Sequence, residues 1–469
     1  MSPPLLPSEL KDSIIDLVHI SDNVDNTRST TLSALALSCR AFRQRVNHHR
    51  FDRIEIPRIE DILPLYSLLL TDSIWENENE RLSTHVSVFA VNMMGTLKQY
   101  RLFPVLTTGS FELEFILNNI FKAYFNNQAY DRSLSFTWRV EIWKPRTTTI
   151  EGLDWPDMSD GLQSAFRQLL QHPRLTQLDI YSLHNVPRDL IRSSFIEELQ
   201  LTEVYFAEAD STVPQEGILD EWHLRHLTAF VTDPTHSTPL LDYIGRNTYA
   251  GKSLPHGIFP QLKTLVCCLL SEEQCETMTT LIQSAKNVMN LSLSIIDTEK
   301  LPRLPYHSLV NLESLLLCHL GALRPLAFDY LERVRGIIAP IYPCIPPIQT
   351  LEILTGIVSA NKYSLDSESL FKGHDFSAID DYLAEFSPPS LQCIEIHFRV
   401  VFTSCTDKFG YDFHKQGTDY VERVLFPKLS SMESLELRVL LTWIAYPDIP
   451  EEHYSCHPLH GWNGNTASL

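Results

Sequence analysis

The chain has 469 residues, 44% of them hydrophobic and 20% charged, the balance of a globular protein with a large core rather than a disordered one. Its formal net charge of −20 argues against nucleic acid as a partner, because neutralising phosphates needs a basic face. Only 16 glycines are present, too few for a scaffold built on phosphate-cradling loops.

The first predicted element lies in LLPSELKDSIIDLVH (5–19). Leu10, Ile14, Ile15, Leu17 and Val18 spread over an arc of roughly 160° on a helix, wider than a single core-facing stripe. Pro7 suits a first-turn position, and Ser8 or Glu9 suits the positive helix start. The polar, Asx-rich SDNVDNTRST that follows reads as a loop ending in a Ser/Thr cap near Ser29–Thr31. From there Leu32, Leu35, Ala36, Cys39, Phe42 and Val46 fall on one helical face, with Leu37 left on the opposite side. About fifty residues arranged this way expose much of their apolar surface unless something covers it.

The series Leu6-Pro7, Glu9-Leu10, Ile14-Ile15-Asp16, Leu32–Leu37, Ser38-Cys39-Arg40, Phe42 and Arg50-Phe51-x-x-Ile54 resembles the F-box, especially its fungal form. The F-box is a short helical module that binds the Skp adaptor of cullin–RING ubiquitin ligases. The resemblance covers about one-tenth of the chain, residues 1–56. It implies that Leu6, Pro7, Leu10, Ile14, Ile15, Leu37, Cys39, Phe42 and Phe51 contact the adaptor. The chemistry this requires is burial of apolar surface, at about 25 cal/mol per Å², with a few central anchors carrying most of the affinity.

Beyond Phe51 the pattern changes. FDRIEI, HVSVFAV and LSFTWRVEIW read as strands, with helical periods at ILPLYSLLL and at 112–125. A step of apolar-x-x-apolar-x-apolar then recurs, with first positions at 175, 196, 262, 288, 312, 348, 391 and 432. A weaker match at Leu224–Phe230 fills the widest gap and leaves intervals of 21–43 residues. Helix-period segments precede several of these strands: SDGLQSAFRQLLQ, EEQCETMTTLIQSAKN (with Cys275, Met278 and Ile282 on one face) and FSAIDDYLAEF. Strand plus helix at such a period is the signature of an irregular leucine-rich-repeat solenoid, without the asparagine ladder of regular repeats. An ordinary α/β domain with a parallel sheet is the alternative. The expected fold class is α/β: a helical module (1–56), a connecting α/β segment of early irregular repeats (57–165), the degenerate repeats (166–440) and a tail (441–469). An F-box followed by such repeats is a combination found in substrate receptors of ubiquitin ligases.

In such repeats the residues between the inward apolar ones line the concave face. Here that set includes the carboxylates Asp179, Glu198, Glu352, Glu395 and Glu436, with no Lys or Arg beside them before Arg438. An acid-leaning face of this kind would favour a basic segment of a protein target.

No GxSxG, P-loop, GxGxxG or HExxH motif occurs, so the expectation is a non-enzymatic protein with no cofactor. HYSCHPLH, with His453, Cys456, His457 and His460, is the best metal motif, but the Pro and Gly around it read as a loose tail and no metal site is expected there. The nine cysteines are odd in number and form no CxxC, which suits reduced thiols in the cytoplasm or nucleus. The N-terminus lacks the basic and apolar regions of a signal peptide, and the greasiest windows are short of a membrane span. The implied role is a substrate-recognition subunit that binds the Skp adaptor and an unknown protein target. The alternative is a repeat scaffold unrelated to ubiquitin, its N-terminal helices capping the solenoid.

Overall fold

The computed structural model describes residues 13, 15, 31–32, 34–35, 40–58, 61–72, 86–96, 112–118, 133–143, 150–187, 190, 195–207, 224–230, 259–269, 278–279, 281–283, 285–295, 308–319, 348–359, 376–386, 389–402 and 417–445. The fold is α/β: twelve parallel strands follow one another in chain order with helices interspersed, a solenoid-like arrangement. The chain divides into two compact units, Met1–Leu199 with Phe206–Ala209, and Gln200–Tyr205 with Asp210–Leu469.

In the first unit, helix α1 (Arg40–Phe51) leads into strand β1 (Arg53–Ile56). The helix is mostly polar, and its buried Val46 joins Ile15 and Leu32 in a small cluster against which Leu35 and Phe42 pack. Helix α2 (Ile62–Asp72) buries Ile62 and Leu69 and leaves Leu63 and Leu68 exposed. Strand β2 (Val88–Thr96), a helical stretch at 112–118 and strand β3 (Leu134–Trp143) follow. The chain then folds back through the two-residue β4 (Ile150–Glu151), antiparallel to β3, and β5 (Leu153–Asp154).

A 3-10 turn at Trp155–Asp157 precedes helix α3 (Asp160–Leu170), whose N-cap Ser159 accepts a hydrogen bond from the Leu162 N–H. Leu162, Ala165, Phe166, Leu169 and Leu170 are the buried stripe of α3, at the helical spacing of three and four. Strand β6 (Leu175–Tyr181) pairs parallel with β3, and β7 (Leu183–His184) pairs with β5. Glycine is required at 152, since a Cβ there would lie 2.1 Å from the Ser182 carbonyl oxygen.

Strand order within this unit is β1-β2-β3-β6, and register explains the core. Ile56, Val91, Trp138 and Ile180 stand in one cross-strand row, all buried. Phe166 of α3 meets Phe136 and Trp138 edge-on, at centroid distances of 5.4 and 4.9 Å. Strand β8 (Glu198–Thr202) begins in this unit and ends in the next.

The second unit carries β9 (His226–Phe230), β10 (Thr264–Leu269), β11 (Asn290–Ile295), β12 (Ser314–His319) and β13 (Thr350–Ser359). Helix α4 (Ser377–Phe386), strand β14 (Cys393–Phe402), a π turn at Val421–Leu425, the short helix α5 (Pro427–Ser430) and β15 (Glu436–Ala445) complete it. From β9 to β15 each strand pairs parallel with the next. Leu227, Leu265, Leu291, Leu315, Leu351 and Ile394 form one continuous buried row. Phe398 lies inward between Phe376 and Phe426, at centroid distances of 5.5 and 6.5 Å. Asp380 of α4 is 1% exposed, and its two carboxylate oxygens accept the backbone N–H groups of Lys428 and Leu429, both at 2.9 Å. That carboxylate satisfies orphan donors of α5.

A strand lies at each predicted repeat, and β9 is the weak match at Leu224–Phe230. The same step also occurs earlier, as Phe51-x-x-Ile54-x-Ile56 and Val86-x-x-Phe89-x-Val91, where β1 and β2 form. One expectation is corrected. The repeat assigned from Met432 is displaced by two residues, because Ile394 pairs with Leu437 rather than with Leu435. The run Leu435, Leu437, Val439, Leu441 alternates without a break, so a slip of two keeps the same face and the motif could not choose between registers. Ahead of the strands, Asn311 donates to the Asn287 side-chain oxygen at 3.3 Å and Asn287 donates to the Pro260 carbonyl at 2.6 Å; both precede the apolar step, whereas the ladder asparagine of regular repeats follows it.

Candidate functional site

In a strand, alternate residues share a face, so the residues between the buried rows project from the opposite side. The five predicted carboxylates all do so, but they do not make one patch. Asp179 and Glu198 belong to the first unit, and Glu352, Glu395 and Glu436 to the second.

Asp179 stands opposite Thr137 of β3, whose hydroxyl donates to its carboxylate at 3.3 Å. Burial pushes the Asp179 carboxyl up to about 6; the Thr137 hydrogen bond opposes this and the neighbouring Glu198 adds to it. Cations are not absent here, contrary to expectation. Arg139 projects from the same side, its guanidinium carbon 5.2 Å from the centroid of the Tyr181 ring, and Arg53 lies 3.7 Å from Glu55. Both were missed because β1 and β3 were not counted among the repeats.

In the second unit the outward face is closed at β11 and β12, where Ser292, Ser294 and Leu316 are buried. Ser292 and Leu316 therefore do not line an accessible surface. Toward β14 and β15 the face opens: the side chain of Glu395 is 18% exposed, whereas those of Arg438 and Glu436 are 54% and 58%. Leu440 is exposed beside them.

Register sets the layout of this open part. Glu352, Glu395 and Arg438 form one cross-strand row. Glu436 stands in the row below, opposite Cys393, and not beside Glu395 as the displaced repeat implied. Arg438 holds Glu436 with two hydrogen bonds of 2.9 Å and approaches Glu395 at 3.9 Å. This fork keeps the Glu436 carboxyl below its usual range and raises the Arg438 guanidinium.

His397 follows Glu395 by two residues, and its Nε2 contacts the Glu395 carboxylate. Among the described residues the Glu352 carboxylate makes no hydrogen bond or ion pair. Burial, then the charge of Glu395, raises its carboxyl above the ordinary value, with His397 acting in the opposite direction. Burial also raises the thiol of Cys393. His397 was not singled out from sequence, although the alternation Cys393-x-Glu395-x-His397 already assigns all three to one face.

Of the residues assigned to adaptor contact, Ile15 is fully buried in the helical cluster, Phe42 packs on that cluster, and Phe51 is half-buried beneath the Arg50 guanidinium at 5.6 Å. Leu6, Pro7, Leu10, Ile14, Leu37 and Cys39 lie outside the described residues, as do His453, Cys456, His457 and His460. Among the described residues no helix is long and apolar enough to cross a membrane.

No family model matches the chain, and no curated protein matches it.

Proposed function

We propose that the chain is the substrate-recognition subunit of an SCF-type cullin–RING ubiquitin ligase, with an N-terminal F-box-like module that docks on the Skp adaptor and irregular leucine-rich repeats that hold a protein target. The reading is carried by one observation: parallel strands in chain order, most of them on the same apolar step, follow a helical segment with its own small cluster at Ile15, Leu32 and Val46. Such a cluster suits a module that keeps its shape while presenting further apolar side chains to a partner.

The protein itself does no chemistry in this reading. Holding a target raises the effective concentration of its lysines near the activated ubiquitin. The open outward face at β13–β15 is where the target would sit. Its carboxylates Glu352 and Glu395, with Leu440 beside Arg438, suit a segment that brings both a basic and an apolar group.

The test is a pull-down of the purified full chain with the Skp adaptor, wild type beside a Leu10→Asp/Ile14→Asp variant. Capture of the wild type and its loss in the variant supports docking through the first helix. A well-folded wild type that fails to bind removes the ubiquitin-ligase reading and leaves a repeat scaffold with another partner.

A further inference from the structure

We propose that Glu352, Glu395 and His397 form a binding site for a borderline divalent cation of the zinc class. Their ligand atoms, two carboxylate oxygens and one imidazole nitrogen, lie within 4.8 Å of one another. Donors about 2.1 Å from one tetrahedral ion sit about 3.4 Å apart, so small side-chain rotations complete the geometry.

The backbone already fixes the approach. Glu352 and Glu395 are direct register partners on adjacent parallel strands, whose spacing is about 4.8 Å. His397 is the next residue on the same face of β14, and its Nε2 contacts the Glu395 carboxylate. An acidic cluster alone would attract only loosely held hard cations; the imidazole is the donor that selects a borderline metal.

Two carboxylates are brought side by side at an incompletely exposed position; Arg438 reaches Glu395 at 3.9 Å and holds Glu436 more closely, with hydrogen bonds of 2.9 Å. Glu352 is left with no described hydrogen-bond or ion-pair partner. A bound dication would satisfy Glu352, neutralise the repulsion and replace the Glu395–His397 contact. Binding needs His397 neutral and both carboxylates ionised, so it releases whatever protons these groups hold beforehand.

The site lies on the face assigned to the target but does not depend on adaptor docking, so failure of the pull-down leaves it standing. Its test uses the full chain carrying His453→Ala, His457→Ala and His460→Ala, to remove competing donors, stripped with chelator and titrated calorimetrically with Zn²⁺. Glu352→Gln and His397→Ala are made in that background, and their fold is checked by circular dichroism. The expected result is one equivalent of Zn²⁺ in the parent, weakened at least about tenfold in each variant. Proton release, read from the dependence of the heat on buffer ionisation, falls with it. Equal stoichiometry and affinity in parent and variants, or no binding by the parent, overturns the site.

Discussion

Asp179 and Asp380 are both largely buried carboxylates, and their surroundings lead to opposite expectations. Asp179 has one hydroxyl donor and a carboxylate neighbour, and its pKa rises from 3.8 to about 6. Between about pH 4 and pH 6 the folded chain therefore keeps a proton that the unfolded chain has released, and stability falls as pH rises through that window. Asp179→Asn removes the titration: the variant should match wild type near pH 4 and exceed it above pH 6, by on the order of 1–3 kcal/mol in urea unfolding. Asp380 instead accepts two backbone donors. Asp380→Ala strands those N–H groups and should cost about 1–3 kcal/mol. Lys428→Ala, which removes only the exposed contact to Asp381 at 2.7 Å, should cost less than Asp380→Ala in the same assay.

At the scale of the element, the strands were the most legible part of the sequence, because an inward row needs an apolar residue at a fixed step. Leu262-x-x-Leu265-x-Cys267 and Leu312-x-x-Leu315-x-Leu317 are read correctly, and all six residues are buried. The amphipathic helices α3 and α4 were legible for the same reason. Register at β15 was not, since uninterrupted alternation has no mark to distinguish a slip of two. The candidate site suffered accordingly. Its carboxylates were found one by one, but their grouping with His397 and Arg438 depends on which strand residues face each other. A double-mutant cycle tests the observed register: Glu395→Lys and Arg438→Glu should each destabilise slightly, and the double exchange should recover part of that loss. No recovery would place another residue beside Glu395. The aromatic contact under β14 is a further check, since Phe398→Ala opens a fully buried position between Phe376 and Phe426 and should cost about 3–5 kcal/mol.

On the scale of the second unit, each strand from β9 to β15 pairs with its neighbours in sequence order. Stability in such an array is close to a sum of local terms and nearest-neighbour interfaces. Leu265→Ala should therefore speed amide exchange in β9, β10 and β11 while leaving β14 and β15 near their wild-type rates, as measured by hydrogen-exchange mass spectrometry. Uniform acceleration across all seven strands would mean that the unit opens only as a whole.

The alternation of inward and outward side chains along β13 and β14 has a consequence for how such a protein diversifies. Leu351 and Ile353 answer to the core, while Glu352 between them answers to whatever meets the outer surface. A single codon change at 352, 395 or 438 can alter the charge of the outer surface while leaving the inward residues beside it in the chain unchanged. The connecting segments vary in length while the pairing of β10 to β15 stays continuous. Selection on the outer surface and selection on folding thus act on interleaved but separate letters of the same strands.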